Sequence, residues 1–233
     1  ANLRYPASIA AAVAGAHAVV NLVGILEQGG KQNFSAVHAE GAKAVAEASA
    51  RAGTACLVQM SALGASADSA SEYARTKAAG EAATLAAFPK AVIYRPSVVF
   101  GPEDGFFNRF AALARMLWVL PLVDGGKTRF QPVFVGDVAE AIARAVDGQV
   151  AGGRVYELGG PETKSLREVV DYVCAVTGRK RLIAPLPKAI ARLQALVMEV
   201  ADKLTLGLVP DELMLTRDQL KLLEQDNVVS DAA

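Results

Sequence analysis

The chain has 233 residues, 52% of them hydrophobic, and its 24 basic residues are balanced by 24 acidic ones. That length suits one large α/β domain or a domain with a small lobe. The even charge leaves no electrostatic footprint for nucleic acid, and no apolar run approaches the roughly 18 residues of a bilayer-crossing helix. The two cysteines, Cys56 and Cys174, stand far apart. They suit a reducing compartment and read as buried small hydrophobes, not as a disulfide or metal pair.

The chain opens at Ala1-Asn2-Leu3-Arg4 without Met and runs straight into a patterned segment, so its natural beginning is expected to be missing. Strand-like and helix-like segments then alternate, the pattern of a parallel sheet covered by helices. Residues 7–14 have helical spacing. The run 17–24 is short, β-branched and ended by Gly24, which predicts a fully buried parallel strand. A helix is expected over 33–52, ended by Gly53, and a strand over 55–61. A small-residue loop leads to a helix over 72–87, stopped by Phe88-Pro89, and 91–95 form the next strand. Residues 154–159 read as the last sheet strand, leaving through Gly159-Gly160-Pro161. Asp137 with Glu140, Ser165 with Glu168, and Thr216 with Gln219 all have capping-box spacing.

The chemistry-bearing signal is Tyr73-Ala74-Arg75-Thr76-Lys77 inside a predicted helix. A spacing of four stacks Tyr73 and Lys77 on one face, one turn apart. An ammonium there favours the phenolate and can donate to sugar hydroxyls. The plainer alternative is an ordinary helix surface carrying Lys77 and Glu81 as an i,i+4 pair. Context raises the signal. A strand ending at Ser61 precedes the helix, and a strand leading into Arg95-Pro96-Ser97-Val98-Val99 follows it. Doubly wound sheets bind ligands outside such strand ends.

With these elements in order, residues 1–180 resemble the extended short-chain dehydrogenase/reductase superfamily. Several phrases narrow the resemblance to the NAD(P)H-binding accessory subunits of respiratory complex I: "AVVNLVGIL", "YARTKAAGE", "RPSVVFGPEDGFFNRF", "QPVFVGDVAEAI" and the tail "LTRDQLKLLEQDNVV". The resemblance implies a doubly wound Rossmann-type α/β sheet lacking its first βαβ unit, with a small, mostly helical C-terminal lobe. Residues 1–160 would form the nucleotide domain, with 102–132 contributing to the lobe and 161–233 completing it. It implies a bound nucleotide, NADPH with NAD(H) as the alternative, held without established turnover. It also implies peripheral-arm partners and a peripheral place on the cytoplasmic face of a bacterial inner membrane, or on the matrix side in a mitochondrion. Asn2 and Leu3 would lie beside the adenine, and Leu22, Val23 and Gly24 along the adenosine. Met60 and Ser61 would sit under the nicotinamide ribose, Tyr73 and Lys77 would contact it, and Pro96, Ser97, Val98 and Val99 would flank the nicotinamide.

Two departures matter. Catalytic members usually carry Ser or Thr one or two positions past the strand end, where this chain has Ala62 and Leu63 after Ser61. The glycine-rich phosphate turn and the residue that selects NAD or NADP are both missing. Without the first βαβ unit the chain is expected to have an unpaired sheet edge, poor stability and weak nucleotide binding. His17 and His38 lack ligand-spaced partners and read as structural, and no metal site is expected. Residues 188–206 place Ile190, Leu193, Val197, Val200 and Leu204 at helical spacing. That stripe packs on its own domain or, helped by Arg179-Lys180-Arg181, contacts a partner or a membrane surface. The run from Phe106 to Phe110 with Met116-Leu117-Trp118 reads as lobe core in preference to a cap over a substrate pocket. Three functions stay open: a structural nucleotide-holding subunit, an active epimerase, dehydratase or reductase, and a nucleotide-sensing regulator.

Overall fold

The computed structural model describes residues 2–3, 5–30, 32–204 and 216–230. In chain order the elements are α1 (Pro6–Val13), β1 (Ala18–Asn21), a π-helix (Ser35–Gly41), α2 (Ala42–Ala52), β2 (Cys56–Met60), α3 (Glu72–Ala87) and β3 (Val92–Pro96). Next come β4 (Val99–Phe100), α4 (Phe107–Met116), β5 (Val119–Val123), β6 (Arg129–Phe130), β7 (Val133–Phe134) and α5 (Val135–Val146). The remainder are β8 (Arg154–Leu158), β9 (Lys164–Ser165), α6 (Leu166–Val176), β10 (Leu182–Leu186), α7 (Lys188–Leu204) and α8 (Arg217–Leu222).

The chain divides into two compact units. The first comprises residues 1–97, 135–159 and 229–233, and the second 98–134 and 160–228. In the first unit the strands form one parallel sheet of order β1-β2-β3-β8 among the described residues. Successive residues of a strand face opposite sides, and β2 uses both. Leu57 is buried against Ile9, Val45 and Ala46 of α1 and α2. Val58 is buried with Tyr94 and Ala145, against α5. Helices on both faces of a parallel sheet are the Rossmann-type arrangement.

Two expectations, for β1 and for Asp137, need correction here, and one is refined. β1 stands at the edge of the described sheet with Val20 exposed, because only β2 pairs with it, so it is not fully buried. The helix expected over 33–52 opens as a π-helix before α2 begins, and Gly53 ends it at φ 66°. α5 begins at Val135, which puts Asp137 inside its first turn and not at the cap, while Glu140 pairs with Arg144 (2.9 Å). The capping boxes at Ser165–Glu168 and Thr216–Gln219 do form.

The second unit is built around Leu120, Leu122, Phe130, Leu166 and Val170, with Phe106 and Phe110 packed on them. Its strands pair as β4 with β7, β5 with β10 and β6 with β9. Leu117 joins this core, but Met116 and Trp118 are exposed, contrary to the core reading. α7 does not follow the own-domain reading of its stripe. It buries Ala191 and Ala195 against Leu186 and Leu220, and leaves Ile190, Leu193 and Val197 exposed. The small residues let the helix sit close, so the large apolar stripe faces outward. Of that stripe, the side chains of Val200 and Leu204 lie outside the described residues, as does Leu215 at the head of the tail phrase.

Candidate functional site

Because the sheet is parallel, β1, β2 and β3 end on one edge, at Asn21, Met60 and Pro96. α3 runs past that edge. Ser71 caps it by accepting from the Ala74 N–H, fixing the rotation so that Tyr73, Lys77 and Glu81, at i, i+4 and i+8, form one stripe.

Each residue of the stripe meets a strand end. The Lys77 ammonium is buried, lies 5.8 Å from the Tyr73 ring centre, and donates to the Met60 carbonyl over a long 3.5 Å. Gly24 lies beside it, and a Cβ there would come within 3.2 Å of Nζ. Glu81 is buried and does not pair with Lys77 as a surface i,i+4 couple. Its carboxylate accepts a two-pronged bond from Arg95 (2.8 and 2.6 Å) and a short bond from the Ser61 hydroxyl. Ser61 and Leu63 extend the β2–β3 pairing, donating to the Tyr94 and Pro96 carbonyls (2.7 and 2.9 Å). The Ser61 proton is therefore turned inward to the Glu81–Arg95 pair.

His38 is the largest surprise. It is buried and stacks with Phe34, and Tyr73 meets both rings edge-on. Its Nε2 accepts from the Ile25 N–H (3.1 Å), and its Nδ1 faces the Thr76 hydroxyl (3.2 Å). An acceptor at Nε2 requires the neutral ring with its proton on Nδ1. His38 thus holds the Gly24–Ile25 backbone over Lys77. Asn21 continues the support, donating to Gln59 (2.8 Å) and accepting from the Val23 N–H (3.2 Å).

The electrostatics follow from burial. Removal from water pushes the Tyr73 phenol up to about 12 and Lys77 down to about 8, with Glu81 opposing the latter. Burial and the neighbouring Lys77 charge hold His38 near 4. The phenol stays protonated at neutral pH, beside an ammonium whose donors are mostly unspent among the described residues. Such a pair can hold a diol on Lys77 and offer the Tyr73 hydroxyl to an adjacent oxygen.

Of the residues expected at the site, Gly24, Met60, Ser61, Tyr73 and Lys77 come together. Leu22 and Val23 follow β1 as exposed loop residues. Pro96 ends β3, and the Ser97 N–H donates to Leu158 (2.8 Å). Val98 and Val99 belong to the second unit, where Val98 packs on the core and Val99 opposes Val133. The Asn2 N–H donates to the Ser8 hydroxyl (2.7 Å), and Leu3 packs on the α1–α2 core beside Gly41. Sequence reasoning missed Asn21, His38, Gln59 and Arg95 as supports. The i+8 position of Glu81 was the one available signal.

The NAD dependent epimerase/dehydratase family profile matches residues 1–159. The chain is 36% identical to the mitochondrial NADH dehydrogenase [ubiquinone] 1 alpha subcomplex subunit 9 of Arabidopsis thaliana, over 97% of this chain and 57% of that protein. It is 32% identical to a ceramide reductase of Caulobacter vibrioides, over 80% of this chain and 58% of that protein. The chain thus spans under two thirds of the length of these relatives. Among solved structures it resembles dTDP-glucose 4,6-dehydratase from Streptomyces venezuelae, with TM-score 0.69 and 20% identity over 80% of this chain and 66% of that one.

Proposed function

The chain belongs to the NAD dependent epimerase/dehydratase family, and we propose that it is the nucleotide-holding part of an accessory subunit of respiratory NADH:quinone oxidoreductase. The observation that carries this reading is the commitment of Ser61. In a reductase of this fold a hydroxyl near that strand end steadies the substrate carbonyl. Here the Ser61 proton goes to a buried carboxylate already gripped by Arg95, and the next side chains are Ala62 and Leu63. The likeness to the Arabidopsis subunit, mitochondrial by name, supports the assembly; peripheral-arm partners and a peripheral place on the cytoplasmic or matrix side are proposed with it.

A nicotinamide dinucleotide fits the residues present, since a buried ammonium with one long described bond needs acceptors, and Gly24 leaves room above it. Lys77 would hold the ribose hydroxyls of that group, and the Tyr73 hydroxyl would complete the grip. When turned over, such a group supplies a hydride. This chain's residues bind and orient it, with Leu22 and Val23 along the adenosine side and Pro96 and Ser97 near the nicotinamide. NADPH is the proposed species, with NAD(H) its competitor in the binding test. The exposed stripe of α7, Ile190, Leu193 and Val197, is proposed as a contact for a partner or the membrane face.

The second reading is an active reductase, favoured by the intact Tyr73–Lys77 spacing and by the ceramide reductase relative. Tyr73→Phe separates the two. A structural holder keeps its place in the assembly and still holds nucleotide through Lys77, less tightly, whereas a reductase loses about 10²- to 10⁴-fold in turnover, the usual contribution of a general acid.

A further inference from the structure

Trp118, the chain's single tryptophan, is 80% exposed. A tryptophan carries one of the largest apolar surfaces a fold can bury, and here almost all of it is left out. It does not stand alone. Met116 ends α4, Val119 begins β5, and Leu182 begins β10 opposite Val119, its N–H donating to the Trp118 carbonyl (3.2 Å). All three are exposed, with Leu182 at 67%. On α6, Tyr172 and Val176 are exposed one turn apart, and the chain turns from there into Arg179-Lys180-Arg181 through the bond from Arg179 N–H to Cys174 O (2.8 Å). The Arg181 guanidinium lies over the indole at 4.9 Å, held there by donation to the Ala114 carbonyl (2.7 Å).

Charge completes the pattern. Residues 111–119 and 172–182, around the start of β5 and β10, contain Arg115, Arg179, Lys180 and Arg181 and no Asp or Glu, with Asp171 flanking them. In a chain of zero net charge, an exposed apolar cluster with four nearby cations and one flanking carboxylate is a local arrangement. Indole and phenol rings settle at headgroup level, and cations beside them pair with anionic lipid. The excess of cations over the one flanking carboxylate selects an anionic surface as the occupant.

We propose that the Met116–Trp118–Val119–Leu182 tip of the second unit, with its Arg179–Arg181 collar, inserts into the headgroup region of an anionic membrane. This surface is separate from the α7 stripe and independent of the nucleotide reading, so either can fail alone. Because Trp118 is the only tryptophan, its own fluorescence reports insertion. The protein is mixed with vesicles of phosphatidylcholine alone, or of phosphatidylcholine with phosphatidylglycerol. The expected result is a blue shift and co-sedimentation with the anionic vesicles only, reversed by salt. Arg179→Gln and Lys180→Gln, both at exposed positions, should each weaken partitioning about fivefold, and Trp118→Ser should abolish co-sedimentation while far-ultraviolet circular dichroism stays unchanged. No shift with either vesicle overturns the proposal. So does equal binding to both, insensitivity to the two Gln variants, or a shift seen only with the purified respiratory complex, which would mark a protein face.

Discussion

Glu81 shows how one residue sets the chemistry available at a site it does not itself occupy. Its carboxylate accepts from Arg95 and Ser61 together, so it fixes the end of β3 and turns the Ser61 proton inward. Glu81→Ala leaves Arg95 without its partner and should lower stability by about 3 kcal/mol, at the low end for buried pairs because Arg95 is partly open to solvent. Urea unfolding measures this. His38 yields a pH prediction. Its folded value near 4 lies below its ordinary 6.5, so between those values the unfolded chain binds the extra proton. Stability from this group is complete above pH 6.5 and is lost as the pH falls toward 4, by on the order of 3 kcal/mol at most. His38→Gln should flatten that part of a melting-temperature profile. An unchanged profile would remove His38 as its source.

At the scale of elements, the site depends on how closely α3 lies against the π-helix. A Cβ on Gly80 would stand 2.0 Å from the His38 carbonyl oxygen, so Gly80→Ala must push the two apart. It should cost about 1–3 kcal/mol or more and loosen the His38–Ile25 bond, read as a lowered melting temperature with weakened nucleotide binding. The stripe of Tyr73 and Lys77 was legible in the sequence because it depends only on helical spacing, and β2, α3 and β3 were legible because their patterns are local. The support of the site was not. Arg95 reaches Glu81 across 14 positions, His38 reaches Thr76 across 38, and Asn21 reaches Gln59 across 38. Such pairings are set by strand order and helix packing, and no local pattern announces them. The same limit hid the true face of α7, where small residues pack inward and large apolar ones face out, and the exposure of Met116 and Trp118 on either side of Leu117.

The whole molecule combines a Rossmann-type unit, whose strand ends gather Gly24, Ser61, Tyr73 and Lys77, with a second unit bearing exposed apolar surface on α7 and at Trp118. The two surfaces carry separate proposals, a partner or membrane contact for α7 and an anionic membrane surface for the Trp118 tip. Lys77→Ala should empty the proposed site, releasing the nucleotide while the protein stays folded, because removing a buried cation also removes its desolvation cost. The most direct test of the central claim is native-gel electrophoresis of mildly solubilised membranes, following this protein and NADH:quinone oxidoreductase activity in the same lanes. The protein, wild type and Tyr73→Phe alike, is expected to migrate in the band carrying that activity, with nicotinamide nucleotide recoverable from the wild type. Migration as a small species free of that band, with a reductase activity that Tyr73→Phe destroys, would contradict it.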